Sequence, residues 1–563
     1  MKILAEKSKY HRFAVQYDYA PDRVEFCRTL KDSFGWERFS YDSTGSKRWV
    51  FSEPIFVRLF QEQYPTVQIE PEVLKTIQHE DALARKEYDR GTKIDVIRDK
   101  KDTDFNVKGL RGELYPYQKV GVEFLNASGG RAIIADEMGL GKTVQALAYV
   151  KHMKFERTLV VSPASVKFVW EGEVKKWTNL SCVIIDSKTK LHEIDVDVKI
   201  WVLNYDILRK HLPELLKIRF DCVIADECHL VKSPAAIRTK AFRQLANHAD
   251  SVIMLTGTPL LSRPVEMFTL LNVIDKKTWS NYYEYTRKFC AGHQTRWGYD
   301  VSGASHIDEL HEKIRRYFLR RRKEEVLTDL PEKNRIQVPV ELSKDAAKQY
   351  NEAERDLGEY LKKYEGKQPA AIAKTLQAEK LARLNVLRQL CAQGKIPAAC
   401  EIIDSILDSG EKVLVFSSFV GPLEQLLERY TDSAVILTGQ TPINERGYIV
   451  ERFQKDPRIR IFLGGIKSAG VGITLTAASN VIALDYSWNP ADHAQSEGRA
   501  HRIGQKNAVS VYQLTAKGTI DEKMAEMLEY KQNIFDRLID GQVTDNKDED
   551  TIDAVIRSVA NKK

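Results

Sequence analysis

The chain has 563 residues, 43% of them hydrophobic and 29% charged, with 86 Lys and Arg against 79 Asp and Glu for a formal charge of +7. That length suits about three or four domains, and its modest charge permits nucleic acid as a partner without demanding it. No apolar run approaches the ~18 residues of a membrane span, and Met1-Lys2-Ile3-Leu4-Ala5-Glu6-Lys7 lacks the apolar core of a secretion signal, which argues against membrane and secreted classes. The seven cysteines, Cys27, Cys182, Cys222, Cys228, Cys290, Cys391 and Cys400, are scattered without zinc-ligand spacing and read as reduced thiols.

Residues 1–78 read as a small α+β module. Phe13, Val15 and Tyr17 alternate as in a strand, and Pro21 opens a helix with Val24, Cys27 and Leu30 on one side. Phe39 and Tyr41 face Trp49 and Phe51 across the turn Asp42-Ser43-Thr44-Gly45-Ser46, and Pro54 opens a second helix with Ile55, Leu59 and Phe60. Arg12, Arg38, Lys47 and Arg48 stand among these aromatics, which suits either a nucleic-acid surface or a solvated strand face over an aromatic core. Residues 79–109 are rich in charge and read as a linker.

Across residues 110–330, apolar segments at 132–135, 158–161, 182–185, 201–203, 222–225 and 252–255 alternate with helical patterns, as in a parallel sheet covered on both faces. After residue 260 the rhythm gives way to basic, mainly helical sequence. Residues 331–395 read as a helical linker or protrusion, broken near Gly366-Lys367-Gln368-Pro369. Alternation returns over 396–540, with strands at 413–416, 434–437, 459–463, 481–484 and 509–514, and the tail 541–563 is polar and acidic. The expected fold is therefore α/β, with two parallel-sheet lobes after a small α+β module.

Ile133-Ile134-Ala135 runs into Asp136-Glu137-Met138-Gly139-Leu140-Gly141-Lys142-Thr143, and residues 144–150 have the apolar content of a buried helix. Strand, phosphate loop and helix would follow one another, with backbone N–H groups cradling phosphates, Lys142 reaching the terminal ones and the Thr143 hydroxyl ligating magnesium. Asp136 stands where the usual loop has a glycine. Cys222-Val223-Ile224-Ala225-Asp226-Glu227-Cys228-His229 is an apolar strand ending in two carboxylates, which would set Asp226 beside magnesium and Glu227 where it orients the attacking water. Cys228 and His229, without a second pair, make a poor zinc site.

With Tyr115-Pro116-Tyr117-Gln118, Leu255-Thr256-Gly257-Thr258-Pro259 and Gln495-Ser496-Glu497-Gly498-Arg499-Ala500-His501-Arg502-Ile503-Gly504-Gln505, these segments stand in an order that resembles the Snf-type (Swi/Snf) helicase-like ATPases over residues 110–538. The resemblance implies two RecA-like lobes, ATP and Mg2+ as cofactors, and DNA as partner. It accounts for Asp136, because this family's loop carries Asp-Glu-Met-Gly there, so that Asp136, Glu137, Met138, Gly139, Leu140, Gly141, Lys142 and Thr143 form the nucleotide loop. It implies that Gln118 reads the adenine edge and that Asp226 and Glu227 supply metal binding and water activation. Thr256 and Thr258 would couple hydrolysis to DNA. Arg499 and Arg502 would act as arginine fingers that reach the nucleotide when the lobes close, with Gln495 helping to orient them. Gly498 departs from the family's more usual acidic residue, and no side-chain role is assigned there.

Ser162-Pro163-Ala164-Ser165, Asn204-Tyr205-Asp206, Ser417-Ser418-Phe419 and Lys467-Ser468-Ala469-Gly470-Val471-Gly472-Ile473-Thr474 resemble the family's strand-tracking motifs. Ser162, Pro163, Asn204, Ser417, Lys467 and Thr474 are thus expected at DNA, and Trp488 in packing. The run Arg315-Arg316-Tyr317-Phe318-Leu319-Arg320-Arg321-Arg322-Lys323 lies where the family joins its lobes, for an interlobe or DNA-facing role or a solvated helix face. Residues 13–64, with Tyr41-Asp42 and Lys47-Arg48-Trp49-Val50-Phe51, are similar to the HARP module of annealing helicases. The implied activity is a DNA-stimulated ATPase that moves along duplex DNA and anneals or remodels forked DNA. A nucleosome remodeller and a catalytically silent DNA-binding scaffold are the alternatives. An RNA helicase would bring an Asp-Glu-Ala-Asp segment, and none occurs. A monomer with protein partners at DNA forks is expected, in a bacterial or viral cytoplasm or, in a eukaryote, the nucleus.

Overall fold

The computed structural model describes residues 1–5, 12–34, 38–43, 48–257, 263–295, 298–327, 329–363, 370–469 and 473–535. The expected turn at 44–46, the break at 366–369, Thr258 and the tail 541–563 lie outside the described residues. Two compact units divide the chain, Met1–Lys93 and Ile94–Lys563.

In the first unit, β1 (Lys2–Ala5), β2 (Phe13–Gln16), β3 (Phe39–Tyr41), β4 (Trp49–Phe51) and β5 (Gln68–Ile69) form a sheet in the order β3-β4-β2-β1-β5. The alternating residues bury one face, and Phe39 sits 5.5 Å from the rings of Trp49 and Phe51 and 5.1 Å from that of Phe56 on the helix Pro54–Gln63. Strands β1 and β5 were not expected; each is short, and β5 is only two residues long. The charged stretch read as a linker is helical as far as Arg98, within the helix Pro71–Arg98. Val73 and Ile77 belong to the core of the small module and Ile94 and Ile97 to that of the first lobe, so apolar residues at both ends are used while the middle stays charged.

The second unit holds both lobes. The first contains β6 (Arg131–Ile134), β7 (Thr158–Ser162), β8 (Cys182–Ile184), β9 (Ile200–Asn204), β10 (Cys222–Asp226) and β11 (Ser251–Leu255). A small hairpin of β12 (His293–Thr295) and β13 (Gly298–Asp300) interrupts it, and β14 (Phe318–Leu319) then joins the sheet, in the order β14-β6-β11-β10-β7-β9-β8. Every pairing in this sheet is parallel. Separate apolar clusters cover its two faces, which is why its strands are continuously apolar instead of alternating.

The second lobe contains β15 (Lys333–Val340), β16 (Val413–Ser417), β17 (Ala434–Leu437), β18 (Ile461–Gly465), β19 (Asn480–Ala483) and β20 (Val509–Ala516), ordered β15-β20-β19-β16-β18-β17 and parallel throughout. Strand β15 lies in a segment read as helical. It is an edge strand, mostly exposed and carrying Pro339, so it has neither the apolar run nor the unbroken donor row of a central strand. Its full-length pairing with β20 comes from tertiary contact. Helices from 344–394 pack instead on the helix Ile520–Phe535 through Tyr350, Leu384, Leu387, Met524 and Met527. No helix among the described residues is long and apolar enough to cross a membrane.

Strands β6, β11 and β10 are neighbours, so the loop at 135–141, the turn at Thr256-Gly257 and the pair Asp226-Glu227 leave three adjacent strand ends. Ligands of open parallel sheets collect at such ends.

Candidate nucleotide site

The loop after β6 closes onto the helix Lys142–Met153 through two left-handed glycines, Gly139 at φ 90° and Gly141 at φ 75°. A Cβ on Gly141 would lie 2.4 Å from the Gln118 amide nitrogen, so only glycine fits that close approach. Gln118 is buried; its Oε1 accepts from the Tyr115 N–H at 3.0 Å and its Nε2 donates to the Leu140 carbonyl at 3.2 Å. The residue expected to read the adenine edge thus caps its own helix and braces the loop. Lys142 donates to the Asp136 carbonyl at 2.8 Å and the Glu137 carbonyl at 3.2 Å, and burial holds its ammonium below the ordinary lysine range.

Asp136, placed in the nucleotide loop by the sequence, is completely buried. Arg321 donates to it from Nε at 2.9 Å and through a second nitrogen, and Gln145 donates to it at 3.0 Å. The Arg321 guanidinium also lies 5.3 Å over the Tyr117 ring. Asp136 therefore anchors the loop from behind, and the loop's charge-bearing residue toward the other lobe is Glu137.

Asp226 accepts from Trp170 Nε1 at 2.8 Å and from the Glu227 N–H at 3.0 Å, while its carbonyl accepts from the Tyr205 hydroxyl at 2.8 Å. Burial and the adjacent Glu227 charge push the Asp226 carboxyl up to about 6. Burial would also raise Glu227, but His229, 3.3 Å away, together with the charges of Lys142 and Arg499, holds it below the usual carboxylate range. Glu227 adopts φ 51° and ψ 55°, a left-handed conformation that a non-glycine residue takes at a cost, and such strain gathers at functional sites. Thr143 and Asp226 offer the hard oxygen donors that magnesium takes alongside phosphate and water, so the residues present suit ATP and Mg2+. Among the described residues no three His, Cys, Asp or Glu side chains gather as a metal cluster, and all seven cysteines are free thiols.

The second lobe delivers its residues on the helix Pro490–Glu497 and the turns that follow. Arg499 and Arg502 both donate to the Ile473 carbonyl, at 3.1 and 3.0 Å, and Arg502 also donates to the Thr474 hydroxyl at 2.7 Å. Burial and mutual repulsion lower the proton affinity of Arg499, and burial lowers that of Arg502, although a guanidinium keeps its proton at neutral pH. A Cβ on Gly139 would fall 3.0 Å from Arg502 Cβ, and one on Gly498 would fall 3.6 Å from Met138 Cβ. The arginine-bearing turn thus lies directly on the phosphate loop. Gln495 is buried one turn ahead of Arg499.

The basic run is not a solvated helix face. After a 3-10 turn at Arg315–Tyr317, Phe318 and Leu319 pair with Ile133 and Ile134 in the sheet, which sends the following basic residues into the site. Arg320 donates to the Ala135 carbonyl at 2.8 Å, Arg321 grips Asp136, and Lys323 lies 3.5 Å from Glu137. These three partners, of which Arg321 and Lys323 are buried, were missed as individual site residues. Their signal, an apolar pair running into Arg and Lys, is equally that of an exposed helix.

Of the residues expected at DNA, Ser162, Asn204, Thr256 and Ser417 have buried side chains. Ser162 donates to the Pro163 carbonyl at 3.3 Å, Asn204 to Asp206 at 3.5 Å, and Ser417 to Asp485 at 2.5 Å. Sequence places them at strand ends but does not say that local partners will claim them. Pro163 is half-buried and Lys467 exposed, and Thr474 is exposed but accepts from Arg502. Ser418, Phe419, Thr438, Lys467, Ser468 and Trp488 line a cavity of about 440 Å³ at the carboxyl ends of β16, β17 and β18. Trp488 has a packing role there, with the Arg388 guanidinium 5.1 Å over its ring.

Comparison with known proteins adds a second line of observation. Residues 117–396 match the SNF2-related domain and residues 394–504 the helicase conserved C-terminal domain. The chain is 33% identical over 460 residues to the "DNA annealing helicase and endonuclease ZRANB3" of Bos taurus, covering 78% of this chain and 42% of that protein. It is 34% identical over 450 residues to the "SWI/SNF-related matrix-associated actin-dependent regulator of chromatin subfamily A-like protein 1 homolog" of Caenorhabditis elegans, covering 77% and 62% respectively. The chain thus spans less than two thirds of each of these relatives. A solved "Sulfolobus solfataricus SWI2/SNF2 ATPase core in complex with dsDNA" is 27% identical with a TM-score of 0.39, covering 77% of this chain and 95% of that one. None of these relatives supports the expected bacterial or viral setting. With the phosphate loop, the acid pair and the paired arginines all inside the matched segments, the chain belongs to the SNF2-related family, its SNF2-related domain followed by a helicase conserved C-terminal domain.

Proposed function

We propose that the chain is a DNA-dependent ATPase that moves along duplex DNA and anneals or remodels forked DNA. The observation that carries the reading is the packing of Arg502 of one lobe against Gly139 in the phosphate loop of the other, with the charge of the neighbouring Arg499 acting on Glu227 of the acid pair. Hydrolysis of ATP needs positive charge where the transferring phosphoryl group develops negative charge, and supplying it from a second lobe ties chemistry to lobe movement. Lys142 holds the terminal phosphates, Thr143 and Asp226 hold Mg2+, and Glu227 orients the attacking water; the metal neutralises phosphate charge when bound. Gln495 supports the turn that presents Arg499 and Arg502. The similarity to an annealing helicase supports forked DNA as the substrate class, with Lys467 and the cavity around it as the second lobe's contact surface. The small N-terminal module supplies a grip on branched DNA, and the protein acts as a monomer with partner proteins at forks.

The test is ATP turnover measured without nucleic acid and with duplex DNA, forked DNA and RNA. Stimulation by DNA, strongest with forks, is expected. No stimulation by any DNA overturns the reading, and stimulation by RNA alone moves the substrate class to RNA. Removal of residues 1–93 is expected to reduce strand annealing more than duplex-stimulated turnover, and equal annealing would reject the module's role.

A further inference from the structure

A lysine is rarely buried without a charged partner, because its ammonium loses its hydration. Lys323 opens the short helix Lys323–Val326 on the chain that connects the lobes, and only 2% of its side chain is exposed. Its backbone N–H donates to Glu137 Oε2 at 2.9 Å, and its ammonium lies 3.5 Å from Glu137 Oε1 while donating to the His501 carbonyl. Glu137 belongs to the phosphate loop of the first lobe. His501 stands between Arg499 and Arg502 on the second.

The same connecting chain holds the arginine turn elsewhere. The Pro331 carbonyl pairs with His501 Nε2 at 2.8 Å, while Lys333 and Arg335 hold the buried Glu497 at 3.2 and 2.8 Å. The Lys323 stem also lines the contact between Gly139 and Arg502, since a Cβ on Gly139 would be 3.6 Å from Lys323 Cε. A buried ion pair contributes little net stability beyond what an apolar replacement gives, so stability alone does not account for a lysine here.

We propose that Lys323 is a positioning residue that ties Glu137 of the phosphate loop to the His501 turn and thereby sets Arg499 and Arg502 over the nucleotide. This rests on the ATPase reading above. Because the Glu137 carbonyl also accepts from Lys142, a phosphate that draws Lys142 away alters the residue on which Lys323 rests. Nucleotide occupancy and lobe registration therefore meet at Glu137.

The test uses the full chain with Lys323→Met, Lys323→Gln, Glu137→Gln and the double variant Glu137→Gln with Lys323→Met. DNA-stimulated kcat is expected to fall about tenfold or more in Lys323→Met and Lys323→Gln while ATP affinity changes by less than about twofold, the mark of an interaction used in the transition state. The double variant is expected to lose no more than the worse single variant, because one tie is being cut twice. Thermal unfolding of the double variant is expected at a midpoint no lower than that of Lys323→Met alone, because no charge is left there without its partner, so a kcat loss that persists in the double variant is not a loss of stability. Wild-type kcat in both Lys323 variants, or losses that multiply in the double variant, overturns the proposal. Wild-type protein that hydrolyses no ATP on any nucleic acid instead refutes the reading on which it rests.

Discussion

Arg321 closes its guanidinium around the Asp136 carboxylate, donating from Nε to Oδ1 at 2.9 Å and from a second nitrogen to Oδ2, with both groups removed from solvent. The pair joins the segment before the second lobe to the back of the phosphate loop. Removing one partner leaves the other charge buried alone, so Arg321→Met is expected to cost about 3–5 kcal/mol of stability. Asp136→Leu together with Arg321→Met is expected to cost less than Arg321→Met alone. Urea unfolding of the single and double variants measures the difference, and equal losses would mean the pair is not isolated from water.

Arg502 touches Gly139 and holds the Ile473 carbonyl and the Thr474 hydroxyl. Arg502→Ala is expected to lower DNA-stimulated kcat by about a thousandfold, the range seen for arginine fingers, with ATP binding nearly unchanged. Steady-state turnover beside equilibrium binding of a fluorescent ATP analogue separates the two. Thr474→Val, which removes the hydroxyl that Arg502 donates to, is expected to lower kcat by a smaller factor without weakening duplex binding. Weaker duplex binding with intact kcat would restore Thr474 to a DNA contact.

Trp170 fixes one oxygen of Asp226 at 2.8 Å. Loss of such an outer partner typically weakens metal use by about 10–100-fold, so Trp170→Phe is expected to raise the Mg2+ concentration for half-maximal turnover by about tenfold. Asp226→Asn is expected to raise it further, and Lys142→Ala to abolish turnover. Chelation with EDTA is expected to stop hydrolysis until Mg2+ is restored. Titration of turnover with Mg2+ checks each.

Burial lowers Lys323 from 10.5 to about 8, with the neighbouring charges of Lys333 and Arg502 adding to the effect and Glu137 opposing it. As pH rises through about 8 the ammonium is lost, and with it the tie from Glu137 to the His501 carbonyl, so turnover is expected to decline on that limb. Stability from this group moves the opposite way. The folded state releases the proton before the unfolded one, so the cost of burying the charge is present below pH 8 and relieved between about 8 and 10.5. A pH–rate profile of wild type beside Lys323→Met checks this, since the variant is expected to be slower with a flatter limb between pH 7.5 and 9 by about half a unit or more. Identical limbs would assign the decline to another group.

Much of this protein was determined by the sequence alone. Continuous apolar runs announced strands buried on both faces, and Gly139-Leu140-Gly141-Lys142-Thr143 and Asp226-Glu227 declared their chemistry by residue type, because phosphate and magnesium accept only a few kinds of donor. What only the tertiary structure decided was which strand ends lie side by side and which polar groups are already taken. Neighbouring β6, β11 and β10 brought together segments nearly a hundred residues apart, and the exposed edge strand β15, invisible to apolar patterning, bound the connecting chain to the second lobe. Asp136, Gln118 and Ser417 stand at motif positions yet are claimed by Arg321, Leu140 and Asp485, while Lys323, one cation in a basic run, lies between two lobes. A motif fixes the identity of a side chain, but burial and partner geometry depend on distant residues, and those determine which way the side chain turns.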